Sequence, residues 1–140
     1  MFLLDTNVIS ELRRPHRADR NVLAWAGEMS VASFFLSVIS ILEIELGALQ
    51  IVRRDAIQGA ALRTWIDKQI LPSFEGRILP VDTTVAQRCA RLHVPNPRAD
   101  RDALIAATAL VHELTVVTRN VPDFEPMGVA LLNPWIVQRS

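Results

Sequence analysis

Short apolar runs alternate with stretches of helical period along this chain. Phe2-Leu3-Leu4, Phe34-Phe35-Leu36-Ser37-Val38, Ile78-Leu79-Pro80-Val81, Thr115-Val116-Val117-Thr118 and Val129 to Leu132 are each short and bounded by polar residues, which predicts buried strands. Between them lie helices. Asp5-Thr6-Asn7 opens one that runs through about Leu12. Val22, Trp25 and Ala26 recur at i, i+3, i+4 within a helix from Asn21 to Glu28. A third helix is predicted from Ile39 to Val52. A fourth, capped by Asp55, carries Leu62, Trp65, Ile66 and Ile70 and stops before Pro72. Asp82-Thr83-Thr84 caps a fifth through His93, and a sixth spans Asp100 to Leu114. The basic stretch Arg13-Arg14-Pro15-His16-Arg17 and the stretch Arg119 to Pro126 read as loops, and Pro95-Asn96-Pro97 as a chain break.

Apolar strands alternating with helices predict an α/β fold, with a central parallel sheet of about five short strands sandwiched by helices. With no repeat, low-complexity tract or boundary, residues 1–140 read as one domain. Parallel sheets of this kind bind ligands beyond the carboxyl ends of their strands. The polar residues at those ends are therefore where chemistry is expected.

Composition narrows the classes. Fifteen basic and fifteen acidic side chains cancel, so no global field draws in nucleic acid, although local patches remain open. Lys68 is the one lysine among the fifteen basic residues; arginine suits bidentate phosphate contact, and genome base composition produces the same bias. Cys89 stands alone, which predicts no internal disulfide and a reducing, cytoplasmic setting. Asp5 interrupts the first apolar run, so the start does not read as a signal peptide, and charges break every apolar segment before the roughly 20 residues of a membrane span.

The acids then collect at one edge. Asp5 ends the first strand, Glu43 lies in the first turns of the helix after the second, Asp100 and Asp102 open the helix leading to the fourth, and Asn120 and Asp123 follow the fourth. Each has a plain structural reading beside the chemical one. Asp5 suits an N-cap. Ser40-Ile41-Leu42-Glu43 fits a capping box, yet a carboxylate among Ile39, Ile41, Leu42, Ile44 and Leu46 is costly without a partner. Asp102 precedes a buried helix start and is favoured for chemistry over Asp100, which reads as a simple cap. Asp123 also suits a turn after Pro122. Glu45 points elsewhere, toward solvent or a nearby arginine. Cys89 reads as core and His112 as a helix C-terminal polar residue. Oxygen ligands unsupported by His or Cys suit Mg²⁺ or Mn²⁺ rather than zinc, and divalent ions beside phosphate activate water and steady a leaving oxygen.

The stretches FLLDTNVISEL, LSVISILEIELG and DALIAATALVHELTVVTRNVPDF, followed by the final strand leading to NPW, resemble PIN-domain ribonucleases, most closely the VapC toxins of bacterial type II toxin–antitoxin pairs. The resemblance covers nearly the whole chain. It implies a PIN-like fold and a metal-dependent endoribonuclease in which Asp5, Glu43 and Asp102 are catalytic and hold the ion. Gly47 follows Glu43 by four residues, as the family pattern has it. A fourth acid often follows the VTR segment; here Asn120 stands in that place, so Asn120 or Asp123 would complete the site. Thr6, Asn7 and Thr118 would orient it. Arg13, Arg14, Arg17, Arg98, Arg101 and Arg119 would steer the RNA backbone, or else form a solvated or antitoxin-facing surface. The resemblance further implies a VapB-type antitoxin as partner, a homodimer, and contact with DNA only through the antitoxin.

Two other readings stay beside this one. A PIN-like protein that binds RNA or a partner without cutting is suggested by Asn120. A haloacid-dehalogenase-type phosphatase also begins with a strand and an Asp, but it needs a second Asp where Asn7 stands and a lysine near the phosphate.

Overall fold

In a computed structural model describing residues 1–137, the apolar runs pair into one all-parallel sheet. The strands are β1 (Phe2–Leu4), β2 (Phe34–Ser37), β3 (Ile78–Leu79), β4 (Thr115–Val117) and β5 (Leu131–Leu132), in the order β3-β2-β1-β4-β5. Leu3 lies opposite Val116 and Leu4 opposite Val117. Because side chains alternate along a strand, each pair serves a different face. Leu3 and Val116 pack with Val85, Ile105 and Phe124 on one side. Leu4 and Val117 pack with Val8, Leu36, Ile44 and Trp65 on the other. The expected five-stranded sandwich is therefore what forms.

Helices α1 (Thr6–Leu12), α2 (Arg20–Glu28), α3 (Val38–Val52) and α4 (Ala56–Trp65) contribute to the second face. Helices α6 (Thr83–Leu92), α7 (Asp100–His112) and the short α8 (Val121–Phe124) contribute to the first. Ala103, Ala106, Ala107 and Ala109 give α7 a fully buried face of small side chains. α3 and α4 pack at Gly59, where a Cβ would lie 2.6 Å from the Val52 Cα; only glycine fits that approach.

Four local expectations are corrected. The helix after β2 starts earlier than Ser40: Ser37 is its N-cap, accepting from the Ile39 N–H at 3.0 Å. Ser40 is then inside the helix and fully buried, so the Ser40–Glu43 capping box does not form and Glu43 is released for another partner. The fourth helix does not stop before Pro72. A π turn (Ile66–Ile70) leads without a break into α5 (Leu71–Ser73), so the helical path runs past Leu71 and Pro72 stands just beyond the widened turn, near the end of that path. Ala99, not Asp100, is the N-cap position of α7, and no side chain caps it. The segment 119–126 is not simply loop: α8 and a 3₁₀ turn at Glu125–Met127 form because Phe124 and Met127 anchor in the core. A second 3₁₀ turn, Pro15–Arg17, lies within the basic loop.

Candidate functional site

The chain adds β2 and β3 on one side of β1, then crosses to lay β4 and β5 on the other. The carboxyl ends of β1 and β4 therefore flank a topological switch point, the place where open α/β sheets form a crevice. Asp5 follows β1 and Thr118 follows β4. Asp5 is the N-cap of α1, and its Oδ1 accepts from the Thr6 N–H at 2.8 Å. Its Oδ2 accepts from the Thr118 hydroxyl at 2.8 Å and the Asn7 amide at 3.2 Å. The Thr118 oxygen in turn accepts from the Asn120 N–H at 3.0 Å, and the Asn7 carbonyl accepts from the Arg119 N–H at 3.3 Å. Asp5 is only 6% exposed. Burial pushes its pKa above the usual carboxylate value, against the pull of the Thr118 and Thr6 bonds; the Glu43 charge adds to the rise, and the Asn7 bond opposes it.

The other acids are held less tightly. Glu43, on α3, accepts the Thr6 hydroxyl on Oε1 at 2.7 Å, and the Arg101 Nη1 lies 3.8 Å from its Oε2. Thr6 thus touches two acids, Asp5 through its backbone and Glu43 through its side chain. Asp102, in the first turn of α7, has its pKa pushed up to about 6, by burial first and then by the charges of Asp5, Asp123 and Glu43. Asp5, Glu43, Asp102 and Asp123 therefore share one electrostatic neighbourhood. Asn120 contributes its backbone N–H to Thr118 while its side chain is exposed and caps nothing. Asp100 leaves the cluster: its side chain is exposed, and His93 Nε2 lies 3.8 Å from it. Among the described residues, no three His, Cys, Asp or Glu side chains already converge to hold one ion.

The arginines separate into different environments. Arg13 stacks over Trp65, with 5.8 Å to the ring centroid, and Arg119 over Trp135, with 5.2 Å. Arg13, Arg14 and Arg17 line a concavity of about 320 Å³ with Ser10, Glu11 and Gln58. A second, of about 290 Å³, shares Ser10, Arg13 and Gln58 and reaches Thr6, Glu43 and Gly47. The two join the basic loop to the acids. Arg98 has its Nε buried without a partner. Gly47 has open space where a Cβ would stand, so nothing within the chain requires it.

Sequence reasoning missed the Thr6–Glu43 bond and the Arg101–Glu43 pair. Neither has a local signature, since each joins residues far apart in sequence. Glu45 pairs with Arg63 and lies away from the cluster, as its spacing suggested. Cys89 is buried in the core.

The family model of the PIN domain matches residues 2–124. Toxin FitB of Neisseria gonorrhoeae is 39% identical over 140 residues, covering 96% of this chain and 99% of that protein. VapC ribonuclease Y4jK of Sinorhizobium fredii is 34% identical over 142 residues, covering 96% and 98%. Among solved structures, FitAcB from Neisseria gonorrhoeae superposes with a TM-score of 0.88 at 38% identity, covering 96% of this chain and 99% of that one. A toxin–antitoxin complex from Klebsiella pneumoniae superposes with a TM-score of 0.70 at 25% identity, covering 96% and 98%.

Proposed function

Because this chain belongs to the PIN domain family, we propose that it is the toxin of a type II toxin–antitoxin pair, a metal-dependent endoribonuclease that hydrolyses RNA phosphodiester bonds. The observation that carries this reading is the acid cluster at the switch point: Asp5 fixed by Thr118, Thr6 and Asn7, with Glu43, Asp102 and Asp123 around it. The relatives named toxin and ribonuclease support the activity. The Klebsiella complex supports an antitoxin as partner, which we take to be VapB-type, and FitAB bound to a DNA fragment supports DNA being met by such a pair.

A divalent ion fits the donor set. The acids offer only oxygen, which suits Mg²⁺ or Mn²⁺. Burial raises the pKa of Asp102, and the charges of Asp5, Asp123 and Glu43 add to the rise, so a cation bound among these acids would relieve their mutual repulsion. Asp5, Glu43 and Asp102 would hold the ion, with Asp123 rather than Asn120 as the fourth acid. When bound, the ion would polarise a water for attack and neutralise charge on the phosphate. The chain does the rest. Asp5 needs no rearrangement, because its two oxygens are already oriented. Thr6 aims Glu43, and Asn7 and Thr118 fix Asp5. The groove running from Arg14 and Arg17 past Arg13 to Glu43 would guide the RNA backbone, while Arg98 and Arg119 stand as weaker candidates for that contact.

The exposed Leu42, Leu46, Leu49 and Val52 of α3 and Ile57 of α4 support a homodimer or antitoxin face. No helix among the described residues is long and apolar enough to cross a membrane, and we place the protein in the cytoplasm as a single 1–140 domain. The phosphatase reading loses support, since Lys68 is exposed in the π turn and Asn7 is engaged with Asp5.

The test is RNA cleavage by the purified protein. Cutting is expected with Mg²⁺ or Mn²⁺, and none with chelator or with the bound antitoxin. Cutting that persists undiminished in chelator contradicts the reading.

A further inference from the structure

We propose that Arg101 is a built-in counter-ion that occupies Glu43 while the site holds no metal and is released to the RNA backbone when a divalent ion takes Glu43. This rests on the metal-dependent nuclease reading above.

The placement of Arg101 is unusual on local grounds. It lies in the first turn of α7, between Asp100 and Asp102. A helix N-terminus favours acids, so a cation there gains nothing from the backbone dipoles. Its partner lies on a different helix: Nη1 stands 3.8 Å from Glu43 Oε2. Among the ion pairs of the described residues, this is the one that reaches the acid cluster; the others join Arg63 to Glu45 and Asp67, and His93 to Asp100. The two oxygens of Glu43 are therefore divided between Thr6 and Arg101.

The division has a consequence for metal binding. A divalent ion on Glu43 competes with Arg101 for the same negative charge, and it repels a guanidinium left on the same carboxylate. Thr6 is neutral and can remain. Arg101 must leave. It is half exposed, with a side chain long enough to stay at the mouth of the site after leaving Glu43. The anion that arrives there during turnover is the RNA phosphate, which a guanidinium binds through paired N–H groups. One arginine thus lowers metal affinity in the free protein and adds substrate affinity in the loaded one.

Substituting Arg101 should move these two quantities in opposite directions, which a merely damaged site would not do. Mg²⁺ affinity is measured by calorimetry without RNA on wild type, Arg101→Gln and Arg101→Lys, after thermal unfolding shows that each is folded. Arg101→Gln is expected to bind Mg²⁺ about three- to fivefold tighter, in keeping with loss of one half-exposed ion pair, and Arg101→Lys to stay close to wild type. In steady-state cleavage at saturating Mg²⁺, Arg101→Gln should raise KM for RNA and flatten its salt dependence by about 0.7 in the logarithmic slope, the value for one phosphate contact on a single strand. If Arg101→Gln binds Mg²⁺ no tighter than wild type, or if KM and its salt slope stay unchanged, the counter-ion role is overturned while the nuclease reading stands. If neither protein binds Mg²⁺, both fall together.

Discussion

The acid cluster has two unlike sides. On one, Asp5 is 6% exposed and takes three hydrogen bonds from Thr6, Thr118 and Asn7. On the other, Glu43 is shared between Thr6 and Arg101, and Asp102 is partly buried with like charges for neighbours. The first side is built by strand ends, whose register is set by the core. The second is carried on helices α3, α7 and α8, whose side chains can turn without disturbing the sheet. The contrast suggests a division of labour, in which a fixed carboxylate defines where an ion sits and adjustable ones close around it.

The largest effects should come from removing one acid on each side. Asp5→Asn and Asp102→Asn are each expected to lower RNA cleavage by about a hundredfold or more, measured with Mg²⁺ on folded protein. Their effects on stability should differ in sign. Asn at position 5 also relieves a charge that burial disfavours, but it turns an amide N–H toward the Asn7 and Thr118 donors, and the hydrogen bonds left unmade, at a cost of about 1–2 kcal/mol, are expected to outweigh that relief. Asn at 102 removes a carboxylate that burial and its neighbours disfavour. Thermal unfolding in chelator should therefore rank Asp102→Asn above wild type and Asp5→Asn below. The same order for both variants would erase the distinction between the sides.

A smaller loss is expected one step behind the acids. Thr118→Val keeps the shape but removes the donor to Asp5, and should cost about ten- to a hundredfold in metal affinity or activity, read by Mg²⁺ titration of cleavage. Smaller still is the pH effect. Asp102 has its folded-state pKa at about 6, above its ordinary value of 3.8. For an acid raised by folding, the charged form is the unfavourable one. The penalty is full above about pH 6 and fades as pH falls toward 3.8. The Tm advantage of Asp102→Asn in chelator should accordingly shrink between pH 7 and pH 4.5; an advantage constant across that range would remove Asp102 as its source. The smallest change separates the residues after β4. Asp123→Asn should lower cleavage several-fold, while Asn120→Ala, which keeps the backbone N–H to Thr118, should stay near wild type. The reverse ranking would return the fourth place to Asn120.

Much of this is legible in the sequence alone. Strand and helix periods placed β1, β2 and β4 within a residue, because each is a short apolar run bounded by a polar residue, the capping Asp5 and Ser37 for the first two and Thr118 for the third. The parallel sheet followed from alternation, and the edge rule then gathered Asp5, Glu43 and Asp102. What escaped was set by tertiary packing. Ser37 rather than Ser40 caps α3, and a sequence with serines three apart does not say which one the backbone will use. α8 forms in an expected loop because Phe124 is fully buried, a fact of the far face of the sheet. Asp100 and Asp102 were separable because only one is followed at once by a buried helix face, but the exposure of Asp100 and its nearness to His93 depend on where the preceding segment runs. The Arg101–Glu43 pair had no sequence signal at all.

The most direct measurement is anomalous diffraction from crystals grown with Mn²⁺. The account predicts a peak within ligand distance of Asp5 and Asp102, with Glu43 turned toward it. A peak elsewhere on the surface, with Asp5 still satisfied by Thr6, Thr118 and Asn7 alone at millimolar Mn²⁺, would contradict it.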